Sequence, residues 1–244
     1  MKGLLLKDLM LHRKMMRQMM LGYIFFGGFA VLVVMSIYYG NFKTVLMDLD
    51  IFNQRGIRGT VSFISFCVAL MGGYMATSVS DLFTQDQKSD FEKVSYSLPV
   101  SDRERISARY GMYGICLGSM LALSAIIFPV LCLASGVSLD KDMVLTVLAG
   151  FFPGTIFFLV GLPFIYRFGT GARIIVNAAS LLITGLILLH WVDRITGNSV
   201  SMEDVLHVIV RVRNLCAFLF VVMSVPGFLL SGFVSMRIMR REKL

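Results

Sequence analysis

Residues Asp81–Arg109, DLFTQDQKSDFEKVSYSLPVSDRERISAR, form the longest polar interruption in this chain. Both flanks lack charge: Gly59–Ser80 precedes the stretch and Tyr110–Leu139 follows it. A bilayer core about 30 Å thick is crossed by about 20 apolar residues of helix, and each flank is long enough. The polar stretch is therefore expected at one membrane face, held between two spanning helices. It carries a pattern of its own. Ser89–Tyr96, SDFEKVSY, predicts a short amphipathic helix with Phe91 and Val94 on one side and Asp90, Glu92 and Lys93 on the others. Pro99 disfavours helical backbone at Leu98 and breaks the segment there. Ser101 stands three residues before Glu104, the spacing of a capping box. A second helix, DRERISARYG, is predicted to start there and run straight into the next span.

Composition agrees with a membrane setting. The 244 residues are 57% hydrophobic and 16% charged, with mean hydropathy +0.77, too few charges to cover a soluble domain. A net charge of +8 would suit nucleic acid, but the basic residues cluster beside the apolar runs, as membrane topology demands. Cys67, Cys116, Cys132 and Cys216 all fall inside apolar runs with no pairing or metal-ligand spacing. They read as small buried hydrophobes.

The expected fold class is all-α: a polytopic membrane protein of six transmembrane helices, one permease domain over residues 1–244. The spans are read at 21–42, 59–80, 110–135, 143–166, 174–192 and 214–236. Residues 1–20 are read as an interfacial helix, with Lys7, Asp8, His12, Arg13, Lys14 and Arg17 forming a polar, mostly basic face toward anionic headgroups. A signal peptide fits less well, because basic residues extend to Arg17 and the following apolar run is long enough to span. Gly111, Gly114 and Gly118 lie near one face of the third span and would admit a neighbouring helix. The fourth span contains Pro153, Gly154 and Pro163, a combination that frees carbonyls and favours kinks, so gating is weighed there against a static distortion. Ser201 and Asp204 predict the start of a short helix before the sixth span.

Lys and Arg set the orientation. Segments on the side of residues 1–20 hold 16 of them and those on the opposite side 7, which places both termini and the 81–109 loop in the cytoplasm. No P-loop, H-E-x-x-H or G-x-S-x-G occurs. His12, His190 and His207 lack ligand spacing, and His190 beside Trp191 reads as an interfacial pair. Asn177 reads as a helix–helix hydrogen bond rather than a substrate contact. None of the six spans contains Asp, Glu, Lys or Arg. Carriers driven by ion gradients usually keep such groups in their spans to bind the coupling ion, so any energy for transport is expected from elsewhere.

Two stretches carry a resemblance. Ser97-Leu98-Pro99-Val100-Ser101 followed by Arg103-Glu104-x-Ile106 after an acidic helix, and Met1-Lys2-Gly3-Leu4-Leu5-Leu6-Lys7-Asp8-Leu9, resemble the first cytoplasmic loop and the start of type-2 ABC transporter permeases. The likeness is to small permeases of peptide and antibiotic exporters, such as the exporter of phenol-soluble modulins; here Asp102 separates Val100-Ser101 from Arg103. The resemblance implies a multi-pass subunit of a bacterial-type cell membrane, two of which pair with two ABC ATPase subunits. It implies that Asp90, Phe91, Glu92, Lys93 and Val94 form a coupling helix docking on the ATPase, with Ser97, Leu98, Pro99, Val100 and Arg103 as the turn behind it. ATP and Mg would then belong to the partner; no cofactor, metal site or catalytic residue is expected in this chain. The apolar spans suit a hydrophobic or amphipathic substrate, including an antimicrobial or toxin peptide. A non-transporting membrane scaffold or sensor accessory is the alternative, and a membrane-embedded enzyme stands further off, since no polar groups converge within the spans.

Overall fold

A computed structural model describes residues 2–39, 54–82, 86, 101–169, 171, 175 and 202–241. Among them the regular elements are helices: α1 Lys2–Tyr39, α2 Gln54–Ala76 continuing into a 3₁₀ turn Thr77–Ser80, α3 Asp102–Ser135, α4 Lys141–Phe168, α5 Met202–Ser224 and α6 Pro226–Arg241. Four stretches are long and apolar enough to cross a membrane: Leu5–Tyr39, Arg58–Ser80, Arg103–Ser135 and Lys141–Phe168. Val210–Ser224 and Pro226–Met239 pass the same test only together, as a pair bent by 54°. The chain is a multi-pass membrane protein with four spans, or five if the bent pair is one, among the described residues. Apart from Ile175, the fifth span expected at 174–192 lies outside the described residues, as do the amphipathic helix expected at Ser89–Tyr96 and Ser201, the expected cap of a short helix over 202–213; that helix is not separate but the first half of α5, which runs unbroken from Met202 to Ser224.

Local chemistry sets the helix ends. The Glu104 backbone N–H donates to Ser101 Oγ and the Ser101 N–H to Glu104 Oε2, both at 3.3 Å, so α3 starts on a complete capping box. It stops at Gly136, whose φ of +65° is the left-handed cap that glycine adopts without strain. Asp140 accepts from the Met143 N–H and caps α4. At the end of α2, Thr77 and Ser80 hydroxyls donate to the Tyr74 and Thr77 carbonyls, satisfying groups that the helix end leaves open.

Contacts between helices fix their directions. Asp8 meets Arg109, Tyr23 Oη lies 2.7 Å from Ser124 Oγ, and Tyr38 sits beside Gly136, so α1 and α3 run parallel. Ser78 just after α2 reaches His12 and Met19 while Gly72 earlier in α2 lies against Tyr23, which makes α2 antiparallel to α1. Arg58 pairs with Asp140, Ser62 reaches Met143 and Gly73 touches Gly154, so α4 runs with α2. Arg213 holds Asp142 at 2.6 Å, Phe220 packs on Phe151 and Gly227 on Leu159, which aligns the α5–α6 pair with α4. Charge collects at two ends. Arg58, Asp140, Asp142 and Arg213 lie at one, and Lys7, Asp8, Asp86 and Arg109 at the other. Between them the buried core is apolar, centred on Tyr23, Val68, Met112, Tyr113, Phe151 and Leu162.

Three expectations differ from what is seen. Residues 1–20 are not a separate helix: α1 runs without a break from Lys2 to Tyr39. At about 1.5 Å per residue it is about 57 Å long, well beyond the bilayer core, and since Asp8 stands level with Arg109 its first two turns lie alongside the polar start of α3. The polar face is also divided. Asp8 and His12 turn inward with Leu5, Met16, Met19 and Tyr23, while Arg13, Lys14 and Arg17 face out together with Leu6 and Met10. The sixth span, expected as one helix over 214–236, breaks at Val225, because Pro226 starts a new helix with its fixed φ and missing N–H.

The close helix contact is also elsewhere than expected. A Cβ at Gly114 or Gly118 would meet nothing within 4 Å, and one at Gly111 only the Leu5 side chain. On α4, by contrast, a Cβ at Gly154 would lie 2.4 Å from the Gly73 carbonyl carbon, and one at Gly150 2.5 Å from Ala69 Cβ. Ala69 and Gly73 on α2 thus face Gly150 and Gly154 on α4, two small-xxx-small pairs that bring the backbones together.

Candidate functional site

The charged joint at the Lys7 end is assembled from three parts of the chain. Lys7 and Asp8 come from α1, Asp86 from the polar stretch after α2, and Arg109 from α3. Lys7 Nζ donates to Asp86 Oδ1 at 3.0 Å and lies 3.4 Å from Asp8 Oδ1. The Arg109 guanidinium reaches Asp8 Oδ2 at 3.3 Å with one nitrogen and bonds Asp86 with the other. Asp8 is 3% exposed, and Asp86 and Arg109 8% each, so these ions have left most of their water behind. Two acids against two bases make the set neutral, which is what allows it to be buried.

One turn further along α1, His12 is fully buried, and its Nε2 lies 3.4 Å from Ser78 Oγ at the end of α2. The same hydroxyl reaches Met19 Sδ at 2.9 Å. The joint therefore clasps α1, the end of α2, the start of the polar stretch and the base of α3 at one level. Arg109 sits eight residues after the capping Ser101, about two turns into α3, so its place relative to the membrane follows from where Ser101 begins the helix.

A second polar seam lies just inside. Tyr110 Oη bonds Ser231 Oγ on α6, Tyr113 Oη donates to Thr155 Oγ1 on α4 at 3.2 Å, and Tyr113 stacks on Phe158 with ring centres 3.7 Å apart and planes at 7°. Phe228 packs on both tyrosines. These contacts fasten α3, α4 and α6 together next to the charged joint.

Of the residues singled out from sequence, Asp90, Phe91, Glu92, Lys93, Val94, Ser97, Leu98, Pro99 and Val100 lie outside the described residues. Arg103 is exposed on the first turn of α3. Pro153 and Pro163 both fall inside the uninterrupted α4, and Gly154 is its packing point on α2. Cys116 and Cys132 are buried, Cys67 and Cys216 partly so, and all four are unpaired. The charged joint was missed as a unit. Its signal was present: Asp8 and His12 share a helical stripe with Leu5, Met16 and Tyr23, where a solvent-facing reading would need them on the opposite face. Nothing in the site resembles a catalytic array, and among the described residues no group of His, Cys, Asp or Glu side chains is arranged to hold a metal. The arrangement ties Asp86, in the polar stretch, to both α1 and α3 through ion pairs.

The family model for ABC-2 family transporter protein matches residues 51–240. A search of curated proteins finds no significant match, and neither does one of solved structures. The match covers well over half of the chain, which belongs to the ABC-2 transporter family and is a transmembrane transporter subunit of it.

Proposed function

We propose that this chain is the permease half of an ATP-driven exporter, moving a hydrophobic or amphipathic substrate outward with energy from a separate ABC ATPase subunit. The observation that carries the reading is the joint of Lys7, Asp8, Asp86 and Arg109 at the base of the 81–109 stretch in a chain of this family. Four residues beyond Asp86 begins Asp90–Val94, the proposed coupling helix: Phe91 and Val94 seat in a groove of the ATPase, and Asp90, Glu92 and Lys93 set the register. Ser97–Val100 and Arg103 form the turn that returns the chain to α3. A push on this short loop is passed to α1 and α3 together, because both hold its base. The working unit has two permeases and two ATPases, and ATP and Mg stay in the ATPase.

The helix directions support six spans. The end of α4 and the start of α5 lie at opposite ends of the bundle, since α4 and α5 run the same way. On this reading 174–192 is the crossing between them, and both termini fall on the loop side. The charge count puts that side in the cytoplasm. Pro153 and Pro163 are the proposed sites of bending, with Gly154 as the pivot against α2. A peptide cargo fits the uncharged interior between the two ends, where an apolar or amphipathic chain meets no fixed ion.

The test is to solubilise the chain from its native membranes in mild detergent, capture it, and assay the eluate for ATPase activity. An ATPase subunit should co-elute, and Phe91→Asp should abolish its retention while membrane insertion stays normal. Undiminished ATPase binding by Phe91→Asp would remove the coupling-helix assignment. A capture free of ATPase would favour the accessory-protein reading.

A further inference from the structure

Pro163 lies inside α4 and has no N–H, so the Leu159 carbonyl four residues earlier has lost its helical donor. In hydrocarbon such a group must be satisfied from elsewhere. The donor comes from another helix: Ser231 Oγ on α6 donates to the Leu159 carbonyl. A serine hydroxyl has a single hydrogen, and here it is committed to Leu159. The contact between Tyr110 Oη and Ser231 Oγ therefore runs from phenol to serine. The result is a directed chain, Tyr110 to Ser231 to Leu159, with Ser235 Oγ 3.4 Å from the same phenol. Ser231 is buried, as is Ser235.

The steric fit is equally specific. A Cβ at Gly227, one turn before Ser231, would lie 2.9 Å from Leu159 Cδ1, so α6 is seated closely on the turn of α4 that Pro163 opens. This α6 is the half-span that follows the 54° bend at Pro226. Tyr110 directly follows Arg109 of the charged joint, and the ring of Tyr110 packs edge-on against Phe158 and Phe228, one from α4 and one from α6.

We propose that Ser231 is the latch of a conformational switch, holding the bent last helix on α4 through the carbonyl that Pro163 frees, with Tyr110 connecting the latch to the base of the loop. The switch has two states. In the latched state Ser231 occupies Leu159; in the released state α6 swings about Pro226 and the carbonyl turns to another donor. Hydrogen bonds in a chain reinforce one another, so withdrawal of the Tyr110 phenol weakens the serine bond beyond it. This last step rests on the transporter reading, in which ATPase closure displaces Arg109 and Tyr110 with the loop; the latch itself does not.

Four versions of the full chain test it: wild type, Ser231→Ala, Pro163→Ala and the double variant, each in mild detergent. Alanine at 163 restores the N–H that Leu159 lacks. Ser231→Ala alone should lower the unfolding midpoint by about 2–4 °C, the scale of one lost bond in a chain of this size. In the Pro163→Ala background the same change should cost clearly less, since only the Tyr110 contact is then lost. An equal fall in both backgrounds overturns the latch. If Ser231→Ala fails to fold, Ser231→Cys, a weaker donor of similar size, goes through the same comparison, and Ser231→Thr should keep the wild-type midpoint. The second readout is amide exchange over residues 227–235 with the ATPase partner bound, with and without ATP. Exchange should rise on adding ATP in wild type and become insensitive to it in Tyr110→Phe. An ATP response unchanged in Tyr110→Phe overturns the link to the loop. If no ATPase binds the chain, the transporter reading fails while the thermal comparison still decides the Ser231–Leu159 bond; a bound ATPase with no ATP response in wild type overturns the switch.

Discussion

Arg109 faces two carboxylates, Asp8 and Asp86, in a pocket that exposes 8% of it. Removing the guanidinium leaves two buried anions with Lys7 between them. Breaking a buried pair from one side costs about 3–5 kcal/mol, so Arg109→Gln should lower the unfolding midpoint far more than any exposed substitution on the same helix. Asp8→Asn added to Arg109→Gln should recover part of the loss, because one uncompensated charge goes with it. Thermal unfolding of the three variants in detergent checks both statements, and a double variant no more stable than Arg109→Gln would show that Asp8 and Arg109 do not interact. Ser101 is a milder case. Its cap bonds are at the exposed start of α3, and Ser101→Ala should cost about 1 kcal/mol with the ATPase still bound. The Ser101–Glu104 box was readable in advance because it depends on four consecutive residues. The Asp8–Asp86–Arg109 set was not, since its members are separated by 78 and 23 positions and only folding brings them together.

At the scale of the helix, small residues matter only where another backbone arrives. Gly154 is such a place: a methyl group would overlap the Gly73 backbone, which cannot move aside as a side chain can. Gly154→Ala should therefore separate α2 from α4 and cost about 1–3 kcal/mol. Gly114→Ala meets open space and should be neutral or stabilising by about 0.5–1 kcal/mol, the helix preference of alanine over glycine. Comparing the two midpoints decides whether the α2–α4 seam is the tight one; similar losses in both would contradict it. Spacing alone nominated Gly111, Gly114 and Gly118 as readily as Gly150 and Gly154. A glycine stripe states that a helix can be approached and is silent on which neighbour approaches. Proline shows the same division. Pro153 and Pro163 are carried inside one continuous helix, whereas Pro226 ends one and starts another. In α4 the helix is held by α2 along its whole first half, and Ser231 covers the carbonyl that Pro163 exposes. At Val225–Pro226 the chain bends instead, and each half-helix packs on a different part of α4, Phe220 on Phe151 and Gly227 on Leu159.

Among the described residues of the molecule, ion pairs gather at two ends of the bundle, with an apolar buried core between them. Arg103 lies at the end that holds Asp86 and Arg109, and Leu139, exposed before α4, lies at the end that holds Arg58 and Asp140. In a background with the four native cysteines replaced by alanine, Arg103→Cys should react with a membrane-impermeant maleimide only in inside-out vesicles. Leu139→Cys should react only in right-side-out ones. The reverse pattern would invert the orientation taken from the charge count, and labelling of both from one side would dismantle the bundle as described.

Membrane class, the apolar spans and the polar stretch between two of them followed from the chain read as a string, because hydropathy and charge are sums over neighbouring residues. So did the capped start of α3, a matter of four residues and their backbone. The parallel pairing of α1 with α3, the inward turn of Asp8 and His12, the seam of Gly73 on Gly154 and the serine on the Leu159 carbonyl belong to the folded molecule. Each depends on which helix lies beside which, and in a membrane nearly every helix face is apolar, so hydrophobicity cannot choose the neighbour. Close backbone approach, ion pairing away from water and the need to satisfy a carbonyl freed by proline make that choice, and they act only once the helices are side by side.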